Sequence, residues 1–306
     1  MPTAVSQAET GDLPELIRCW NQTMGHDTMS RDELGGALFA DSRHTALVAR
    51  LCGRVVGLVG CTAPAPQADR GHITAICAAD ESVTASLLVH GAELLRSCGA
   101  SRVVASEFGG SPFAPGTDLR YEPIHAGFAR AGFSHTHNLD DMELHLAAYE
   151  PIAYQRSAIS HAKAYGAQVV HWGPELVESL SRFSVAAAAS GDLPGGWFWE
   201  GWEQGPNMVV AVLDGDVIGY ANYDPEPKRF HGRYHRPNAG AFGPTGVLAE
   251  HRGHGVGTWI LAETSLAVKR AGREWLWAGW TNTPFYVPNE WSVCRQYAVW
   301  EKALGG

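Results

Sequence analysis

The stretch Thr245-Gly246-Val247-Leu248-Ala249-Glu250-His251-Arg252-Gly253-His254-Gly255-Val256-Gly257 constrains the fold of this chain more than any other. A β-prone apolar run from Gly243 to Ala249 meets a glycine-rich turn. A helix-compatible segment with apolar residues at Val256, Ile260, Leu261 and Leu266 then runs to about Ala271. Strand, turn and helix in that order leave unpaired N–H groups converging at a helix start, where the helix dipole adds positive potential. Gly253, Gly255 and Gly257 allow unusual φ values and let backbone approach an anion without a Cβ in the way. Arg252 adds a guanidinium at the rim, and His254 and Thr258 flank the turn. No Gly-Lys-Ser/Thr follows, so this is not a Walker loop, and the glycines lack the order of a dinucleotide fingerprint. A glycine-rich β–α turn without any ligand is the plain alternative.

Length and charge narrow the setting. At 306 residues the chain suits two domains of about 150 residues. Its apolar runs are too short and interrupted to cross a bilayer, and the N-terminus lacks the charged and apolar regions of a signal peptide. Six cysteines with neither CxxC spacing nor histidine partners at zinc-ligand intervals read as idle thiols in a reducing, cytoplasmic setting, with no metal site. Residues 1–150 carry ten Arg and no Lys against eighteen Asp and Glu, whereas 151–306 carry thirteen Lys and Arg against fourteen acids. An acidic chain without a basic cluster is a poor nucleic-acid binder, and an anionic ligand is better placed in the second half. The expected partner is a small molecule, for a monomer or homodimer.

Periodicity gives α, α, β, β, β, α, β, α, β across the first half, with Ser30 as an N-cap and a hairpin at Leu51-Cys52-Gly53. Glu150-Pro151 marks the boundary, and residues 152–165 look like a linking helix. A strand, a helix from Pro174, and a hairpin through Asp214-Gly215 follow. The glycine-rich motif comes next, then a strand at Glu274–Trp280, and Val293–Trp300 closes the half. The same order of elements thus occurs twice. The fold class expected is α/β with mixed sheets, in two tandem domains (1–150 and 151–306), each a mostly antiparallel sheet flanked by helices.

Val247, then Arg252-x-x-Gly255-x-Gly257, then an amphipathic helix, resembles the acyl-CoA pyrophosphate loop of the GNAT (Gcn5-related N-acetyltransferase) superfamily. The resemblance spans nearly the whole chain as a tandem arrangement, with specific motifs in the second copy alone. It implies that Val247, Leu248, Ala249, Arg252, Gly253, His254, Gly255, Val256, Gly257 and Thr258 hold acetyl-CoA or another short acyl-CoA. Val247 N–H would polarise the thioester carbonyl, and Leu248 and Ala249 would pair with the pantetheine arm. In the first copy, laying Val83–Leu88 on Val256–Leu261 places Ala79, Ser82 and Thr84 on Arg252, Gly255 and Gly257. Asp80 and Glu81 then face the pyrophosphate position, where like charge disfavours it. Phe128 stands where the family has a tyrosine. The first copy therefore reads as degenerate.

Catalytic side chains are fewer. Tyr286-Val287-Pro288-Asn289-Glu290-Trp291 resembles the family's Tyr-x-x-x-Gly-Phe, which makes Tyr286 the proton donor to the departing thiolate. A core tyrosine bonded to backbone is the competing reading, and Glu290 and Pro288 depart from the pattern. The base is open among Glu250, Asp224, His231, His235 and a water relay, with His235 as the histidine assigned to accept an ammonium proton. Glu200, within the tryptophan-rich Gly195–Trp202, would pair with an amine held against an aromatic wall, unless that segment is a hydrophobic plug. The function expected is N-acylation of a small primary amine by direct attack. An acyl-CoA decarboxylase or hydrolase, or a non-catalytic acyl-CoA-binding protein, is the alternative.

Overall fold

The computed structural model describes residues 4–39, 41–106, 116–190, 207–226 and 236–305. Two compact units make up the chain, Met1–Leu139 with Arg295–Gly306, and Asp140–Cys294.

In chain order the first unit contains β1 (Ala4–Gln7), α1 (Leu13–Thr23), α2 (Arg31–Phe39), β2 (His44–Leu51), β3 (Arg54–Thr62), β4 (Arg70–Ala78), α3 (Glu81–Ser97), β5 (Arg102–Ala105), β6 (Thr117–Asp118) and α4 (Glu122–Arg130). Strand β7 (Ser134–His145) begins in this unit and ends in the second. The second unit continues with α5 (Ala153–Ala164), β8 (Gln168–His171), α6 (Val177–Ser190), β9 (Met208–Leu213), β10 (Asp216–Asp224), β11 (Ala239–Val247), α7 (Val256–Arg270) and β12 (Trp275–Ala278). A single helical turn at Thr283–Tyr286 precedes β13 (Ser292–Ala303), which starts in the second unit and ends in the first. The sequence order is reproduced apart from β1 and β6, which at four and two residues are too short to carry a readable alternation.

Local chemistry explains most boundaries. Ser30 and Glu33 form a reciprocal capping box at the start of α2, each side chain accepting from the other's N–H. The β9–β10 hairpin turns through Asp214 and Gly215, both at positive φ, as a two-residue turn of the primed type requires. Cys52 and Gly53 do the same between β2 and β3.

Both units have mixed, mostly antiparallel sheets flanked by helices. The first runs β1-β2-β3-β4-β5-β13-β7, with β4 and β5 parallel. The second runs β7-β12-β11-β10-β9-β8, with β11 and β12 parallel. Strand β5 takes Trp300–Ala303 of β13 as its antiparallel neighbour, and β12 takes Met142–His145 of β7. Val293–Trp300 therefore does not simply close the second half, because its strand goes on to complete the first unit. Alternation shows that a segment is a strand but not which strand it joins. The sequence division at 150/151 separates copies of a motif, whereas the packing division places 140–150 with the second unit and 295–306 with the first.

One contiguous core fills the first unit, including Trp20, Leu58, Leu87, Leu88 and Phe128. In the second, Ile218 and Ala221 of β10 pack with Ile260 and Leu261 of α7, while Val217 and Tyr220 pack with Leu180 and Phe183 of α6. The first unit also buries a charged cluster. The Arg295 side chain is 5% exposed and pairs with Asp27 at 2.6 Å and with Asp118. The Tyr121 hydroxyl donates to Asp27 at 2.7 Å, and Arg120 grips the Asp118 carboxylate. Burial raises the Asp118 pKa, but the Arg120 hydrogen bond and the Arg295 charge outweigh it and hold the carboxyl below its ordinary value.

Two results are expected from unfolding measured in urea. Arg295→Met leaves Asp27 buried without a cation, while Asp118 keeps Arg120, and costs about 3–5 kcal/mol at neutral pH. In the wild type, the stability from Asp118 is full above its unfolded pKa of about 3.9 and is lost as pH falls through the lowered folded value.

Candidate functional site

Strand β11 pairs in parallel with β12 only from Ala239 to Phe242. On its other side it follows β10, with Tyr223 opposite Phe242 and Ala221 opposite Thr245. Gly243, at φ +116°, and Pro244 therefore face the single residue Asn222 as a bulge. Past the bulge, Thr245, Gly246 and Val247 keep their ladder to β10 while the β12 ladder has ended. Leu248 N–H donates to Ile218 O at 3.0 Å. Alternation along the strand then turns the Val247 N–H away from β10, toward the side without a strand partner. The Leu248 N–H expected for a pantetheine arm is thus already engaged, and the Leu248 and Ala249 carbonyls accept from His251 and Arg252.

A 3₁₀ turn, Ala249–His251, leads into the glycines. Arg252 Nε donates to Val247 O at 2.9 Å, folding the guanidinium back over the strand end. Gly253 has φ +81° and open space where a Cβ would be. Gly255 is the N-cap of α7 at φ +82°, and no side chain caps the helix. The Val256, Gly257 and Thr258 N–H groups of the first turn lack intrahelical acceptors, as at any helix start, while the Val256 and Thr258 side chains point into the core. The positive φ expected at 255 is there, and packing adds a second reason for glycine. A Cβ there would lie 2.3 Å from Ala158 O, so the residue is also small to seat against α5. At Gly257 a Cβ would meet the Phe285 ring at 3.4 Å, ordinary contact.

Phe285 leads to Tyr286. That ring is buried, edge-on to Phe242 at 6.1 Å and to Trp291 at 5.1 Å, so it lies beside the residue where β11 and β12 stop pairing. Burial pushes the phenol well above its ordinary pKa, which keeps it protonated and able to donate at neutral pH. The turn that holds it ends at Glu290, in the left-handed region at φ +63°. Glu290 adopts there the conformation that glycine favours, so its departure from the family pattern changes composition and not geometry. A buried amide chain fixes this turn. Tyr149 O–H donates to Gln155 Oε1 at 3.0 Å, Gln155 Nε2 to Asn289 Oδ1 at 3.1 Å, and Asn289 Nδ2 to Phe285 O at 2.8 Å. Gln155 and Asn289 are both 0% exposed.

The first unit repeats the strands but not the loop. Strand β4 pairs with β5 from Arg70 to Ile73 and continues to Ala78 without it. Only Ala79 then separates β4 from Asp80, the N-cap of α3, where residues 248–254 separate β11 from Gly255. Cap on cap, Asp80 and not Ser82 is the counterpart of Gly255. The Asp80 carboxylate accepts from Val83 N–H at 2.9 Å. Gly127 of α4 lies so close to Thr84 that a Cβ would come within 2.4 Å. Phe128 stacks on Trp300 at 5.5 Å.

Tyr286 and the Val247–Thr258 segment are thus brought together, whereas His235, His231, Glu200 and Gly195–Trp202 fall outside the described residues. Among the described residues no group of three His, Cys, Asp or Glu could hold a metal, and no helix is long and apolar enough to cross a membrane. Sequence reasoning missed Gln155, Asn289 and Tyr165. Each has a partner 86 or more residues away, with no local pattern to betray that contact.

Residues 175–284 match the acetyltransferase (GNAT) family. No curated protein matches the chain in sequence. Among solved structures, a GCN5-related glucosamine N-acetyltransferase region in a fungal multi-domain GH3 β-N-acetylglucosaminidase is similar, with a TM-score of 0.76 at 18% identity over 98% of this chain. This chain spans 38% of that protein. A tandem GNAT protein from the clavulanic acid biosynthesis pathway aligns over 100% of this chain and 99% of its own, with a TM-score of 0.65 at 18% identity. A GCN5-related N-acetyltransferase from Sphaerobacter thermophilus covers 98% and 95%, with a TM-score of 0.66 at 14% identity. These likenesses establish the fold.

Gly255→Ala combines left-handed strain with a clash against the α5 backbone. It is expected to cost on the order of 2–4 kcal/mol in thermal or urea unfolding. Gly257→Ala, with room for its Cβ, should cost under about 1 kcal/mol.

Proposed function

The chain has the tandem GNAT fold and carries a GNAT acetyltransferase domain in its second half, and from that premise we propose that this half is an acyl-CoA-dependent N-acyltransferase. Its donor is acetyl-CoA or another short acyl-CoA, and its acceptor is the primary amine of a small molecule. The observation that carries the reading is one juxtaposition: an uncapped helix start on a seven-residue loop, a strand end whose Val247 N–H lacks a β12 neighbour, and a protonated Tyr286 beside it.

Bound there, the acyl-CoA supplies an activated acyl group. The first-turn N–H groups of α7, Gly253 and Arg252 suit its pyrophosphate. Val247 N–H is available to polarise the acyl carbonyl, and one such donor in a dry site is typically worth about 3 kcal/mol of barrier. Tyr286 keeps a proton for the sulfur that leaves. His235 is assigned as the acceptor of the ammonium proton and Glu200 as the partner of the amine, both by the sequence pattern alone. The first copy is read as lacking acyl-CoA binding, because Asp80 occupies the helix start where the second copy has an open loop. A similar protein is described as a glucosamine N-acetyltransferase region, which makes glucosamine the first acceptor to try.

Calorimetry with acetyl-CoA is expected to show one site in the wild type and none in Gly257→Glu, which places a carboxylate at the helix start without disturbing α5. Tyr286→Phe should bind acetyl-CoA normally and lose about 10²-fold in thiol release with an accepted amine. Two sites would overturn the degenerate reading of the first copy. Undiminished binding by Gly257→Glu would overturn the assignment of the loop. Thiol release without any acceptor would point to hydrolysis, whereas loss of carbon dioxide from a carboxyacyl-CoA with the thioester kept would point to decarboxylation.

A further inference from the structure

Helix α5 is more than a link. Gln155, Ala158, His161 and Tyr165 recur along it at spacings of three, three and four, which places them on one face. Gln155 bonds the turn that carries Tyr286, and Ala158 seats Gly255. Tyr165, the C-cap of α5, reaches the glycine-rich loop twice. Its hydroxyl lies 2.8 Å from His251 Nδ1, and its ring stacks on His254 at 3.8 Å with an 8° interplanar angle. The His161 ring stands 5.7 Å from that of His254.

We propose that Tyr165 is a positioning residue for the anion-binding loop, holding His254 by its ring and setting through its hydroxyl which nitrogen of His251 carries the proton. The proposal rests on the acyl-CoA reading for its functional consequence. A phenol has one proton to give, and the imidazole nitrogen it meets accepts that proton with its lone pair. The neutral His251 ring then carries its own proton on Nε2. A hydrogen bond at one ring nitrogen commonly fixes the other in this way. His251 Nε2–H thereby becomes a donor available to a phosphate oxygen, on the 3₁₀ turn that leads into the glycines. Of the titratable groups that α5 presents to the loop, Tyr165 meets His251 and His254, and His161 meets His254. The loop is also held before any ligand arrives, which lowers the ordering cost of binding.

The test compares wild type with Tyr165→Phe, which keeps the ring and removes only the hydroxyl. Long-range proton–nitrogen spectra of the imidazoles should place the His251 proton on Nε2 in the wild type and on both nitrogens in the variant. Calorimetry should show acetyl-CoA affinity falling about 5–10-fold in Tyr165→Phe, the scale of one net hydrogen bond. Affinity for acetyl-pantetheine, which has the thioester but no pyrophosphate, should be unchanged. His251→Gln retains a neutral N–H donor and should keep most of the acetyl-CoA affinity, whereas His251→Leu should not, so the proposal stays testable if Tyr165→Phe folds poorly. Equal acetyl-CoA affinity in Tyr165→Phe, or equal losses for both thioesters, overturns the proposal. Failure of the wild type to bind acetyl-CoA overturns the acyl-CoA reading instead, and the nitrogen spectra still decide the position of the proton.

Discussion

Parallel strands β11 and β12 share a ladder for four residues, and the second unit is arranged around the place where it stops. A strand that loses one neighbour leaves N–H and C=O groups with no partner on that side, which costs free energy unless something else satisfies them. Here the bulge at Gly243 and Pro244 keeps β11 in register with β10 beyond the stop. Phe242, Tyr286 and Trp291 pack as an aromatic cluster beside it, and Arg252 takes up the Val247 carbonyl. The Val247 N–H faces that same side. The helix that follows opens with its first-turn N–H groups uncapped. A strand end and a helix start, each with donors to spare, are held within one loop of each other. That is a polar site made almost wholly of backbone.

Comparison of the two units separates scaffold from chemistry. Both have a parallel pair that stops after four residues, and both send a helix off the longer strand. In the first unit the connection is one residue long, and the helix caps itself with Asp80. The sheet pattern is thus compatible with having no anion site, as expected when function lies in a site grafted on a fold rather than in the fold. The six additional residues between strand and cap distinguish the second unit, and they include Arg252 and Gly253.

The features legible in the sequence were those whose causes are local. Ser30 at the start of α2, Asp214 with Gly215, and the strand–glycine–helix order each involve residues a few positions apart, and the structure has all three where expected. Tyr286 was legible by spacing, and Glu290 shows why composition alone misleads, since the left-handed turn is there without its glycine. The positive φ of Gly255 was legible, but its close packing on Ala158, 97 positions away, was not. Ser82 was matched to Gly255 because a residue-by-residue alignment cannot see that the first copy's loop is shorter. Gln155 and Asn289 are ordinary polar residues in sequence, and burial with 134 residues between them is what makes them matter. The partners of β7 and β13 were illegible for the same reason. Alternation sets which face is buried, not which edge is joined.

That last feature bears on how the protein is made. Strand β5 is complete at Ala105, but the neighbour it pairs with, Trp300–Ala303, lies at the other end of the chain. During synthesis the first unit must therefore leave that edge open while almost two hundred further residues emerge. Arg295, which neutralises the buried Asp27 and Asp118, arrives equally late. The N-terminal half cannot be finished until Arg295 to Ala303 has been made, and a nascent chain of this kind has a long interval in which an open strand edge is accessible to chaperones or to the wrong partner.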